Sequence, residues 1–350
     1  MFKPFIRAMS PYQPPLEGRM ASGCRLLDFN ESTLPPSPKV IQALTQFLNA
    51  GRLQVYPEYQ ALQQNIAEYA GVSAQNILFT NGSDQGIDIL FRGIVGQGDR
   101  VLLLTPSFAM FEQAAHLEGA EIITHSYGAD CSFPYEHVAA TLGTGTIKLA
   151  VFVTPNNPTG TPVDLPFIRQ MVDMHPQTFF IIDEAYFEFH GETSKDLVVT
   201  YSNMAVLRTF SKAFALAAVR LGYVIAHRDV IDELEKIRGP YDVNTLAVVA
   251  AQAALEDPAY MYQYRDEVIY LAKPRMLDFF TQRGIAVYAG KANFILFDPG
   301  NPQVAIDFLR TRGILVRRGR GAIAHMVRVT VGTTACVDAF IGAYSEYLEL

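Results

Sequence analysis

Residues 179–186 read FFIIDEAY, and residues 205–212 read AVLRTFSK. Each is a short apolar run closed by polar and ionisable residues, the signature of a buried strand that ends at a turn. The same signature recurs at 77–80, 101–105, 121–126, 149–154 and 222–226, with helical stretches at 83–95 and 107–118 between them. Strands that are apolar along their whole length, interleaved with helices, predict a mostly parallel seven-stranded sheet covered on both faces, hence an α/β architecture.

Beyond residue 230 the pattern changes. A long helical stretch covers 259–283, and Pro274 is expected to bend it. Strands at 293–297, 314–317 and 327–331 and a last helix at 334–350 follow, which together describe a smaller α+β unit. The reading divides the chain into a proline-rich N-terminal segment (1–39) packing with the small domain, a large α/β domain (40–240) and a small C-terminal α+β domain (241–350).

Composition narrows the function. Of 350 residues, 49% are hydrophobic and 18% charged, enough apolar material for a large core and unlike a disordered chain. The formal charge of −7 gives no basic excess for nucleic acid. Three cysteines far apart (Cys24, Cys131, Cys336) predict neither a disulfide framework nor a zinc site. The first 15 residues carry charge and prolines rather than a secretory signal, and no apolar run reaches membrane-spanning length. A soluble cytoplasmic protein with no membrane partner is expected. The seven histidines show no metal-ligand spacing, so no catalytic metal is expected. Residues 319–324 (GRGAIA) satisfy a loose dinucleotide-binding pattern, but they lie between two strands rather than opening a helix.

In an open α/β sheet, ligands bind beyond the carboxyl ends of the strands. After 77–80 comes NGSDQG (81–86), small polar residues leading into a helix: either an ordinary N-cap or, with free N–H groups and a hydroxyl, a phosphate cradle. After 149–154 comes PNNPTG (155–160), turn chemistry that also offers two asparagines. Asp183 closes an apolar strand, where a carboxylate needs a cation, from a structural salt bridge or from a ligand. Lys212 closes another, where an apolar setting favours the neutral amine of a Schiff-base nucleophile; Arg220 follows eight residues later. A phosphate cradle, a hydrogen-bond donor for a ring oxygen, a carboxylate for a protonated ring nitrogen and an amine for an aldehyde together match pyridoxal 5'-phosphate.

The motifs NGSDQGI (81–87), TPNNPTG (154–160), IIDEAYFEF (181–189), LRTFSKAFALAAVRLGY (207–223), KANFILF (291–297) and MVRVTVGT (326–333) run in the order found in one family. The chain resembles the fold-type I pyridoxal-phosphate aminotransferases, most closely the histidinol-phosphate aminotransferases of histidine biosynthesis. The resemblance implies the fold of that family, with pyridoxal 5'-phosphate as cofactor and an amino donor and a 2-oxo acid as substrates. It implies that Lys212 attaches the cofactor and moves the proton at the substrate Cα. Asp183 would keep the ring nitrogen protonated, and Asn157 and Tyr186 would bond the ring's phenolic oxygen. Ser83, Asp84, Thr209, Ser211 and Arg220 would surround the cofactor phosphate, and Phe108 would stack on the ring. Tyr56, in VYPEY (55–59), matches a tyrosine lent across a homodimer interface, and reads equally as a packing residue before a helix. Arg328 matches the arginine that grips the substrate's anionic end, with Arg317, Tyr12 and Asn30 as further substrate contacts.

One segment departs from the subgroup. Asn30 and Glu31 are kept, but Leu34 stands where an aromatic is usual. An aromatic-amino-acid aminotransferase of the same branch, or a decarboxylase similar to threonine-phosphate decarboxylase, therefore stays open beside the histidinol-phosphate reading. A non-catalytic, aminotransferase-like regulatory module is disfavoured, because every residue of the cofactor constellation is present.

Overall fold

The protein is described by a computed structural model covering residues 2–11 and 13–350. Seven strands form the large sheet: β2 (Ile77–Thr80), β3 (Arg100–Thr105), β4 (Glu121–Ser126), β5 (Ile147–Val153), β6 (Phe179–Asp183), β7 (Met204–Thr209) and β8 (Gly222–Ala226). They follow β1 (Arg25–Leu26), and their order across the sheet is β2-β8-β7-β6-β5-β3-β4. Strands β7, β6, β5, β3 and β4 run parallel. Strand β8 is antiparallel to both β7 and β2, so β2 runs the same way as β7. The carboxyl ends of β2, β3, β5, β6 and β7 therefore share one edge of the sheet.

The continuous apolar strands have a simple cause, since successive side chains point to opposite faces and both faces are covered. Ile77, Phe79, Phe152, Phe180, Ile182 and Val206 enter one core, while Leu78, Val151, Ile181, Ala205 and Leu207 enter the other. Each of these side chains larger than alanine contributes roughly 1.5–3 kcal/mol by leaving water.

The C-terminal strands are β9 (Val287–Tyr288), β10 (Phe294–Phe297), β11 (Ile314–Leu315), β12 (Arg317–Arg318) and β13 (Val327–Thr330). A four-stranded sheet has the order β12-β13-β10-β9. The single strand expected at 314–317 is two: β11 pairs in parallel with β1, whereas β12 pairs antiparallel with β13. The N-terminal segment causes the split by offering residues 314–315 a partner outside that sheet. It stays with the C-terminal strands beyond β1, where the Thr330 N–H donates to the Leu27 carbonyl at 2.9 Å.

Two helical expectations are also adjusted. The helix placed at 107–118 starts at Ala109, which leaves Ser107 and Phe108 at the sheet edge. The stretch at 259–283 is helix Pro258–Asp266, a π-helical segment Glu267–Ala272 and helix Lys273–Gln282. Pro274 cannot donate a backbone hydrogen bond, and the irregularity falls in the turns just before it.

Candidate active site

At the β2 end, Gly82 opens the helix Gly82–Ile94 with φ of 72°, and Asn81 makes no side-chain cap, so the first amides of the helix face outward. A side chain at Gly82 would collide with the Arg220 guanidinium, and one at Gly222 with the Ser83 amide. Glycine is needed at both because backbone and guanidinium crowd the same small space. Arg220 itself sits at φ of 58°, an uncommon region for a non-glycine residue. Its Nη2 meets Asp84 Oδ2 at 2.9 Å, and its Nη1 donates to Ser211 Oγ at 3.4 Å. Thr209 Oγ1 accepts from the Ser211 N–H at 3.1 Å. Ser83, Asp84, Thr209, Ser211 and Arg220 are thus brought together at a helix N-terminus, the arrangement of an anion site. Since the Asp84 carboxylate is taken by Arg220, its backbone N–H is what it can offer an anion.

At the β5 end the two asparagines divide the work. Asn156 is fully buried and holds its own loop, accepting from Ser107 Oγ at 2.7 Å and donating to Thr159 Oγ1 at 2.9 Å. Asn157 faces the cleft, and its Oδ1 accepts from Arg328 Nη1.

At the β6 end, Asp183 is buried and its Oδ1 accepts from the Ala185 N–H at 3.0 Å. Burial pushes its carboxyl up to about 7, partly opposed by that N–H. The structural ion pair at this strand end belongs to Glu184, which meets Arg208 at 2.9 Å. The Tyr186 hydroxyl accepts from Asn30 Nδ2 at 3.0 Å.

At the β7 end, Lys212 Nζ donates to the Phe29 carbonyl at 2.9 Å. Desolvation, and next the Arg328 charge, bring its pKa down to about 8, so far more neutral amine is present near neutral pH than in an ordinary lysine. Phe108, Asn157, Arg317 and Arg328 line the same cleft as Lys212. Arg328 is buried and also donates to the Asp28 carbonyl at 2.6 Å, while the Arg317 guanidinium lies 4.6 Å from the centre of the Phe29 ring.

Not every expected residue joins this cluster. Tyr56 is 71% exposed and stacks on Tyr241 at 4.3 Å, away from the cleft. Tyr12 lies outside the described residues. Leu34 lines a different pocket, with Ala213, Phe214 and Tyr264. Gly319 and Arg320, set aside as a false dinucleotide motif, do line the cleft. The Phe29 and Asp28 carbonyls were illegible in the sequence because backbone atoms act there, whatever the side chains. For Asn156 the paired asparagines were the visible signal, without an indication of which one faces inward.

The donor set fits pyridoxal phosphate part by part. Lys212 would supply an amine for the aldehyde and Asp183 a carboxyl for the pyridine nitrogen. The Gly82–Ser83 helix start with Arg220 supplies an anion cradle built on backbone. Among the described residues no histidine, cysteine or carboxylate group clusters as a metal site, and no helix is long and apolar enough to cross a membrane.

The family pattern for aminotransferase class I and II matches residues 24–343. The chain is 34% identical to a dihydroxyacetone phosphate transaminase of Campylobacter jejuni, over 88% of this chain and 85% of that protein. It is 34% identical to a histidinol-phosphate aminotransferase of Roseiflexus castenholzii, over 99% and 98% of the two chains. The crystal structure of histidinol-phosphate aminotransferase from Sinorhizobium meliloti in complex with pyridoxal-5'-phosphate superposes with a TM-score of 0.89, at 25% identity, covering 99% of this chain and 96% of that one. The chain belongs to the class I and II aminotransferases, fold-type I enzymes that depend on pyridoxal 5'-phosphate.

Proposed function

We propose that this enzyme transfers an amino group from histidinol phosphate to 2-oxoglutarate in histidine biosynthesis, by a ping-pong cycle. The amine leaves as its ketone, and the 2-oxo acid leaves as glutamate. The observation that carries the reading is the pair of guanidiniums, Arg317 and Arg328, in the cleft that also holds Lys212. A guanidinium fork binds carboxylate and phosphate alike, so one site can take glutamate in one half-reaction and a phosphorylated amine in the other.

When bound, pyridoxal phosphate supplies the aldehyde that takes up the amino group and the ring that accepts an electron pair from Cα. The protein's part is assigned as follows. Lys212 would attach the cofactor and, once released as a free amine, would take the Cα proton and pass it to the cofactor's C4′ carbon, a role suited to a base poised near pH 8. Asp183 holds a proton on the pyridine nitrogen. Asn157 and Tyr186 bond the phenolic oxygen, and Phe108 covers the ring. Ser83, Asp84 through its N–H, Thr209, Ser211 and Arg220 hold the cofactor phosphate. Arg328 and Arg317, with Asn30 and Tyr12, hold the substrate.

We also assign the working unit to a cytoplasmic homodimer that lends Tyr56 to the neighbouring site. In its favour, Leu53, Val55, Tyr56 and Tyr241 are all exposed, and the Tyr56 and Tyr241 rings stack on one another. Sedimentation of the purified protein at micromolar concentration is expected to give the mass of a dimer.

The similarity to a dihydroxyacetone phosphate transaminase favours a second reading. Both substrates place a phosphate monoester one carbon from the carbon that exchanges nitrogen and oxygen, so Arg317 and Arg328 suit either. An absorption experiment separates the two. Histidinol phosphate is expected to abolish the visible band of the cofactor-loaded enzyme, and 2-oxoglutarate to restore it. Restoration of the band in the amino form by dihydroxyacetone phosphate, with no response to histidinol phosphate, selects the second reading. A response to L-phenylalanine alone moves the enzyme to the aromatic branch, and carbon dioxide release without need of a keto acid makes it a decarboxylase.

A further inference from the structure

Residues 28–31 reach three groups of the site at once. The Asp28 carbonyl accepts from Arg328 Nη2 at 2.6 Å, the Phe29 carbonyl accepts from Lys212 Nζ at 2.9 Å, and Asn30 Nδ2 donates to the Tyr186 hydroxyl at 3.0 Å. No strand pairing holds the stretch, because β1 ends at Leu26, and Asn30 sits at φ of 58°. Its two flanks are gripped by one side chain that does not line the cleft. Arg19 takes both oxygens of Asp28, through Nε at 2.9 Å and Nη2 at 2.7 Å. It also takes Glu31 Oε2 through Nη2 at 2.6 Å, and the guanidinium lies 4.2 Å from the centre of the Phe29 ring. Arg317 stacks on that same ring. Arg19 is 9% exposed; burial lowers its basicity, but the two carboxylates more than offset this and keep it charged.

We propose that Arg19 is a positioning residue for the reaction: by clamping Asp28, Phe29 and Glu31 it fixes the two backbone carbonyls that aim Arg328 and Lys212, and the ring on which Arg317 rests. The proposal rests on the reading of Lys212, Arg317 and Arg328 given above. A planar fork that bonds two carboxylates and covers a ring is a task lysine cannot copy, since an ammonium has neither the fork nor the flat face. The link to substrate is through the anion-binding arginines, so the effect falls on affinity for anions more than on attachment of the cofactor.

The test measures binding of inorganic phosphate to the cofactor-loaded enzyme by calorimetry, for wild type, Arg19→Met, Arg19→Lys and the control Arg312→Met, whose ion pair with Glu346 is on the surface. Phosphate affinity is expected to fall at least tenfold in Arg19→Met and about fivefold in Arg19→Lys, with the visible cofactor band retained and wild-type affinity in the control. Steady-state kinetics with the amine are expected to show the same factors in KM, with kcat changed less. If Arg19→Met fails to fold, Arg19→Lys decides. Phosphate affinity within twofold of wild type in Arg19→Lys, whatever its thermal midpoint, overturns the clamp. Absence of phosphate binding by the wild-type enzyme overturns the assignment of Arg317 and Arg328, and the clamp with it.

Discussion

Glu184 and Arg208 meet at 2.9 Å with each side chain only 1% exposed, one residue along the chain from Asp183, which is buried without such a guanidinium. Two neighbouring acids at one strand end thus have opposite fates. Glu184 is neutralised inside the protein and carries structure, with Thr193 Oγ1 also donating to it at 2.8 Å. Asp183 has no guanidinium beside it, which suits the role proposed above of meeting a cationic ring nitrogen.

Breaking the buried pair from one side leaves a charge with no partner, the costly case for ions in a low-dielectric interior. Glu184→Gln is expected to destabilise the protein by about 3–5 kcal/mol, read as a lower denaturation midpoint. The double variant Glu184→Met with Arg208→Met is expected to lose less than Glu184→Gln alone, because neither charge then remains.

Asp183→Asn is expected to act with opposite signs on stability and on activity. Burial raises the folded carboxyl to about 7, whereas the unfolded one ionises near 3.8. The folded state therefore holds the extra proton, and the cost of this residue grows as pH rises from about 4 to 7 and levels off above. In the cofactor-free protein Asn removes that cost, so the gain in thermal midpoint should be larger at pH 8 than at pH 5. At pH 8 the gain in stability amounts to several kcal/mol, at roughly 1.4 kcal/mol for each pKa unit. Turnover of the loaded enzyme is expected to fall by roughly 10³-fold, the scale on which a lost proton-holding group is felt.

Lys212→Ala is expected to abolish both the visible band and turnover. In the wild-type apoenzyme, the rate at which free pyridoxal phosphate develops the band should rise with pH about a midpoint near 8, where burial and Arg328 place the amine. Removing the neighbouring charge with Arg328→Met should move that midpoint upward. A midpoint above 10 in the wild type would show that the amine is not desolvated.

A side chain at Gly290 would run into the Gly160 carbonyl, and the Lys291 N–H donates to that same carbonyl at 2.6 Å. Gly160 closes the loop that carries Asn157, so this contact ties the segment before β10 to the site. Gly290→Ala is expected to cost about 1–3 kcal/mol by overpacking and to raise KM severalfold. Gly342→Ala, in the helix Thr334–Leu348 with open space around it, is expected to be neutral or stabilising by up to about 1 kcal/mol.

Much of this enzyme was legible in its sequence because the large sheet is covered on both faces. Runs such as 179–183 and 205–209 announce their own burial, and the polar residues that close them fall at one sheet edge once the strands are parallel. Lys212, Asp183, Ser83 and the Asn156–Asn157 pair stand out for that reason, each closing or following such a run, with Arg220 eight residues beyond Lys212. Tertiary structure alone decided the rest. Which of Asn156 and Asn157 faces inward depends on Ser107 and Arg328, respectively 49 and 171 residues away in the chain. That Glu184 rather than Asp183 is the structural acid depends on Arg208 from the next strand. The acceptor for Lys212 is a backbone carbonyl 183 residues distant, an atom every residue has, and so no side-chain pattern could mark it.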